Sequence, residues 1–186
     1  MTAIQFKPVA EKDVAVLANI ARRAYLDAYA NLWTDAGKWY VKTMYNETQL
    51  LSEILDPNVA YFLVYQFATL VGFIKLKKNY PLSINGSGLT FGHGEGSNIA
   101  LDDALYIDRI YFVKAATGNG LGRSSFDFIR DLAVKMGRKA LWLMVMDSST
   151  DAIRFYKKQG FETCGTWRLD FENMRSELRG MFIMNS

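Results

Sequence analysis

The sequence predicts a mixed α/β (α+β) domain, and three observations carry that expectation. Val14, Leu17, Ala18, Ala21, Tyr25, Ala28 and Tyr29 recur at spacings of three and four, the period of one helix face. Two β-rich runs, residues 61–67 and 70–76, are parted only by a tight break, which is the pattern of a hairpin. From residue 104 onward, strand-like and helix-like stretches alternate. Hairpins first and alternation afterwards point to a mixed sheet with helices against it, in a single domain over residues 1–186.

Each element has its own signals. Ile4, Phe6 and Pro8-Val9 read as a short first strand, and Lys12-Asp13 leads into the first helix. Asp35 can open a second helix, with Trp39, Tyr40 and Met44 on its apolar side. Asn46 can cap a third, burying Leu50, Leu51, Ile54 and Leu55; Asp56-Pro57 stops it, because the residue before proline avoids helical backbone. After the hairpin, residues 81–98 hold five glycines and read as a surface insertion. Residues 104–113 are again strand-like. A glycine-rich loop follows, then a helix to about Met136, striped by Phe126, Ile129, Ala133 and Met136 and stopped by Gly137. Residues 140–146 form a buried strand. Residues 148–158 form a short helix, with Ser148-Ser149-Thr150-Asp151 as a capping box and Gly160 as its close. Residues 161–170 and 179–184 are the last strands.

Composition removes several classes. Net charge is +3, from 22 basic and 19 acidic residues, too mild for a nucleic-acid partner. No run of about 18 apolar residues occurs, so no membrane partner is expected. The start, MTAIQFKPVAEKD, has no secretory pattern, and Cys164 is the single cysteine; both favour a cytoplasmic location. A zinc site built from cysteines is excluded, no metal is expected, and any histidine-based triad would have to use His93.

One loop carries more. In AATGNGLGRSSF, Gly118, Gly120 and Gly122 alternate immediately before an apolar helical stripe. The first amides of a helix lack internal partners and carry partial positive charge. Glycines let a phosphate approach them closely, while Arg123 adds charge and Ser124 and Ser125 add hydroxyls. On spacing alone an ordinary turn remains an equal reading. Two familiar phosphate loops fit poorly. A Walker loop needs lysine where Arg123 stands, and a dinucleotide fold needs an early βαβ unit.

The stretch LYIDRIYFVKAATGNGLGRSSF, followed by ALWLMVMDSSTDAIRFYKKQGFE, resembles the paired signature of the GNAT N-acetyltransferase superfamily. Ala152, Phe155, Tyr156, Gly160 and Phe161 match the second motif, whereas Thr117 replaces the usual Gln or Arg and Ser149 the usual Asn. The resemblance implies a mostly antiparallel sheet of about six or seven strands, splayed between two central parallel strands. It implies acetyl-CoA as donor, as cosubstrate. The pyrophosphate would rest on the loop amides of Gly118, Asn119, Gly120, Leu121, Gly122 and Arg123, with Ser124 nearby and Thr117 as a further cofactor contact. The pantetheine arm would pair with Ile110, Tyr111 and Phe112 and be approached by Ser149; Lys157 or Lys158 would meet nucleotide phosphates.

The same resemblance implies Tyr156 as proton donor to the leaving thiolate. A glutamate that often serves as base is Met144 here, which leaves Asp108 as the alternative, with His93 and Glu95 in the insertion as further candidates. Cys164 reads as a buried apolar residue rather than a nucleophile. The N-terminal arrangement, with Asn46-x-x-Gln49-Leu50 and Asp108-Arg109-Ile110-Tyr111, is similar to bacterial PaiA-type polyamine acetyltransferases. A small amine such as a polyamine is therefore the implied acceptor, with Asp27, Asp35, Glu47 and Asp108 as candidate carboxylates around it. A protein or peptide acceptor and a non-catalytic acyl-CoA sensor are the alternatives. Pairing of edge strands into a homodimer is common in the superfamily.

Overall fold

The computed structural model describes residues 4–80, 103–118, 120–169, 171, 173–174 and 178–185, with backbone alone over 164–169 and 178–185. Its strands are β1 (Ile4–Pro8), β2 (Val59–Gln66), β3 (Thr69–Lys77), β4 (Ala104–Phe112), β5 (Ala140–Met146), β6 (Glu162–Leu169) and β7 (Leu178–Asn185). Its helices are α1 (Val14–Tyr29), α2 (Lys38–Met44), α3 (Glu47–Leu55), α4 (Leu121–Lys135) and α5 (Thr150–Lys158). Every strand and helix read from the sequence is present, with ends displaced by a few residues. The insertion at 81–98, with His93 and Glu95, lies outside the described residues, as do Asn119 and the side chain of Cys164.

The chain divides into two compact units. The first is Met1–Leu76, Arg109–Phe128 and Glu172–Ser176; the second is Lys77–Asp108, Ile129–Phe171 and Glu177–Ser186.

The first unit carries the strand order β1-β2-β3-β4. β1 runs antiparallel to β2, from Ile4 opposite Gln66 to Pro8 opposite Phe62. α1 buries Leu17, Ala18, Ile20, Ala21, Ala24 and Tyr25. That face is broader than the predicted stripe. It takes in Ile20 and Ala24 and leaves Ala28 exposed, because small alanines let the helix pack over a wide arc. The Asp35 carboxylate accepts the N–H groups of Gly37 and Trp39 at 2.9 and 2.6 Å, so α2 begins three residues later than its capping carboxylate. Asn46 caps α3 by accepting the Gln49 N–H at 2.8 Å, as its position predicts. The β2–β3 turn is unusual. Phe67 and Ala68 take φ of +48° and +64°, the left-handed pair that Asn-Gly ordinarily supplies.

The second unit carries the order β4-β5-β7-β6. β5 and β7 are antiparallel, as are β6 and β7. β4 and β5 are parallel and pair from Ala104 with Ala140 to Ile107 with Leu143. The register ends there, although β5 continues through Met146 and β4 through Phe112. Tyr80, Tyr106 and Trp142 form a ring stack, with centroids 4.6 Å apart for Tyr80–Tyr106 and 4.2 Å for Tyr106–Trp142. Gly137 closes α4 at φ +67°, with the Arg138 N–H reaching back to the Ala133 carbonyl. Gly160, at φ +89°, closes α5.

One local reading is corrected. α5 starts at Thr150 with Ser149 as N-cap, and the Ser149 side chain makes no capping bond. Its backbone, at φ −84° and ψ +61°, is not the extended conformation that aims a cap hydroxyl at the third amide.

Candidate functional site

β4 hands the chain to the glycine loop in an orderly way. The Val113 N–H donates to the Val71 carbonyl at 2.9 Å, and Lys114–Ala116 makes one 3-10 turn. The Thr117 hydroxyl donates to the Lys114 carbonyl at 2.8 Å and so helps to close that turn. Gly118 and Gly120 then take φ of +85° and +76°, a conformation that side-chain-bearing residues avoid. A Cβ on either would meet nothing within 4 Å, so open space lies over both. The first intrahelical bond of α4 runs from the Ser124 N–H to the Gly120 carbonyl at 3.1 Å. Leu121, Gly122 and Arg123 precede it, where helix amides have no intrahelical acceptor. Leu121 and Phe126 anchor this end of α4 in the core, and Arg123 is exposed. Ser125 is fully buried and its hydroxyl finds no partner among the described residues, whereas Ser124 is half-buried.

The last residues of β4 face a polar aromatic cluster that sequence reasoning missed. Tyr25 stacks on Tyr40 at 4.2 Å, and Tyr111 lies 5.9 Å from Tyr25 and 5.4 Å from Tyr29. Arg109, buried, sits 5.3 Å over the ring of Tyr45. Burial raises the hydroxyls of Tyr25, Tyr45 and Tyr111 well above their ordinary value, against the opposing pull of the Arg109 charge, so all three stay protonated. Because the Tyr111 ring belongs to this cluster, a ligand along Ile110, Tyr111 and Phe112 would meet the backbone of Tyr111 rather than its side chain.

Beside the cluster, buried Lys75 pairs with Glu53 at 2.9 Å. The Tyr61 hydroxyl donates to the same carboxylate, and Gln49 Nε2 donates to its other oxygen at 3.1 Å. Burial pushes the Glu53 carboxyl up, but the Lys75 charge, the Tyr61 and Lys75 hydrogen bonds and the Arg109 charge outweigh it and hold it below its ordinary value. The signal was in view: a lysine within the apolar run LVGFIKLK is too costly to bury without a carboxylate.

In the second unit, Tyr156 lies half-buried on α5 between Phe155 and Phe161, with ring centroids 5.3 and 5.5 Å away. Lys157 and Lys158 are exposed on the last turn of α5. Asp108 Oδ2 lies 3.4 Å from Lys77 Nζ, and that ammonium also sits 4.2 Å over the Tyr80 ring.

A parallel β4–β5 pair, a helix that opens on left-handed glycines and a later tyrosine-bearing helix occur in the order of the sequence signature. Residues 18–161 match the acetyltransferase (GNAT) family. The chain belongs to the GNAT acetyltransferase family. An N-acetyltransferase described as uncharacterized, from the pepI 3′ region of Lactobacillus delbrueckii subsp. lactis, is 27% identical over 163 residues, covering 86% of this chain and 85% of that one. Among solved structures, the PaiA N-acetyltransferase of Thermoplasma acidophilum in complex with coenzyme A aligns with a TM-score of 0.70 at 18% identity, covering 99% of each chain. The yncA protein of Salmonella typhimurium, a putative acetyltransferase solved with its cofactor acetyl-CoA, aligns with a TM-score of 0.67 at 16% identity, covering 100% of this chain and 94% of that one. Both share the fold.

In this GNAT acetyltransferase the carboxylates expected to greet an amine are mostly engaged. Asp27 Oδ2 accepts the Lys114 N–H at 2.8 Å, Asp35 caps α2, and Asp108 pairs with Lys77. Glu47 is exposed in the first turn of α3. Among the described residues, no helix is long and apolar enough to cross a membrane, and no three His, Cys, Asp or Glu side chains cluster to hold a metal ion.

Proposed function

We propose that the chain is one N-acetyltransferase domain that moves an acetyl group from acetyl-CoA to a primary amine within a ternary complex. The observation that supports it most is the opening of α4: two left-handed glycines, open space above them and amides ahead of the first helical bond. Acetyl-CoA supplies a thioester whose acyl carbon an amine can attack. The backbone of Thr117, Gly118, Asn119, Gly120, Leu121, Gly122 and Arg123, with Ser124, would hold its diphosphate. Ile110, Tyr111 and Phe112 would receive its pantetheine arm, and Lys158 would meet its outer phosphates. The Ser149 hydroxyl, which does not cap α5, would serve the same arm. The neutral amine attacks the acyl carbon. As the carbon–sulfur bond breaks, the leaving thiolate takes a proton from the Tyr156 hydroxyl, and the nitrogen, made cationic by the new carbon–nitrogen bond, gives its extra proton to Asp108 or to water.

The likeness of Asn46-x-x-Gln49-Leu50 and Asp108-Arg109-Ile110-Tyr111 to the PaiA-type pattern supports a small amine, such as a polyamine, as acceptor. The engagement of Asp27, Asp35 and Asp108 leaves Glu47 as the strongest remaining carboxylate for a polycation. The pairing of Asp108 with Lys77 favours a second reading, an acyl-CoA sensor without turnover. The reducing compartment suited to a lone cysteine makes a cytoplasmic setting the simplest.

The test is thiol release from acetyl-CoA across a panel of polyamines, amino acids, aminoglycosides and peptides. Release with one class establishes the transferase and names the acceptor. Coenzyme A binding without release for any amine supports the sensor, and the absence of coenzyme A binding sinks both.

A further inference from the structure

β3 holds a glycine where a strand gains nothing from one. Gly72 is buried in mid-strand between Val71 and Phe73. Glycine inside a strand costs backbone entropy and gives up side-chain packing relative to alanine. Its backbone does not ask for it, because Gly72 is not among the described glycines with positive φ. What asks for it is space. A Cβ at residue 72 would stand 2.3 Å from the Tyr111 carbonyl oxygen, 2.5 Å from Phe112 Cδ1 and 3.1 Å from Phe112 Cα. Real Cβ atoms essentially never come closer than 3.0 Å to such neighbours. Two of the three atoms are main chain, so no rotamer change relieves them. The hydrogen bond from Val113 N–H to the Val71 carbonyl ties the chain to β3 one residue later, so a methyl would bend β4 at Tyr111–Phe112 rather than shift it as a whole.

We propose that Gly72 is a positioning residue for the acyl-donor site. Its bare Cα lets the main chain of Tyr111 and Phe112 lie against β3, and that sets the strand edge offered to the pantetheine arm. The inference rests on the donor assignment made above. Binding of coenzyme A is measured by calorimetry for the wild type and Gly72→Ala, together with KM for acetyl-CoA and for the amine. Gly72→Ala is expected to weaken coenzyme A at least tenfold and to raise KM for acetyl-CoA alone. Unchanged coenzyme A affinity in a folded Gly72→Ala overturns the proposal, as does an equal rise in both KM values. A wild type that binds no coenzyme A removes the donor assignment, and this inference with it. Should Gly72→Ala fail to fold, Phe112→Ala is compared with Gly72→Ala/Phe112→Ala. Loss of the ring removes the 2.5 Å contact and keeps the backbone one. The double variant is again expected to bind coenzyme A at least tenfold more weakly than the single variant, and equal affinity overturns the proposal.

Discussion

Asp27 on α1 accepts the main-chain N–H of Lys114 at 2.8 Å, and so ties the first helix to the turn that opens the glycine loop. A carboxylate that the sequence offered as a contact for a cationic substrate is thereby a brace for the loop. Asp27→Ala is expected to cost about 1 kcal/mol of stability. It is also expected to weaken acetyl-CoA roughly threefold to tenfold, equivalent to about 0.7–1.4 kcal/mol. Initial-rate kinetics separate the roles: KM for acetyl-CoA should rise while KM for the amine holds. The reverse pattern would return Asp27 to the acceptor side.

Tyr156→Phe removes one hydroxyl and keeps the ring between Phe155 and Phe161. Its expected effect is a fall in kcat of at least tenfold, about 1.4 kcal/mol of barrier, with coenzyme A affinity unchanged. Unaltered turnover would reduce Tyr156 to a packing residue.

Glu53→Gln tests the buried ion pair. The Lys75 ammonium would lose its carboxylate, which should cost about 3–5 kcal/mol at neutral pH. The pH dependence follows from the lowered Glu53 pKa. Its contribution is complete above the unfolded carboxyl's value of 4.5 and is lost as pH falls from there through the folded value. Denaturant unfolding from pH 7 to pH 3 should therefore show a steep acid loss in the wild type and a shallower one in Glu53→Gln. Equal slopes would show that the pair does not govern acid stability.

The β2–β3 turn spends stability on two non-glycine residues at positive φ. Each such residue costs roughly 1–2 kcal/mol. Phe67→Asn with Ala68→Gly should raise Tm by roughly 2–4 °C per kcal/mol recovered. It should also remove an aromatic that is 65% exposed. A drop in Tm would mean that the Phe67 ring makes compensating contacts.

Most of the fold was legible because its signals are local. The Asn46 cap, the stop at Gly137, the close at Gly160 and the hairpin each follow from a few neighbouring residues. The glycine loop was legible for the same reason, since left-handed glycines before a helix leave a mark in the chain itself. The Ser148–Asp151 capping box failed because a cap depends on one backbone angle pair, which the pattern of residues does not set.

By itself, then, the sequence determined the element order, the stops at Gly137 and Gly160 and the family, all written in residue spacing and in the chain's own stereochemistry. Tertiary structure alone decided the partners that meet across long separations: Asp27 with Lys114, Glu53 with Lys75 and Gly72 with the Tyr111 carbonyl. Those pairings depend on which faces pack together, and a carboxylate or a bare Cα looks the same in the chain whether it meets a ligand or its own backbone.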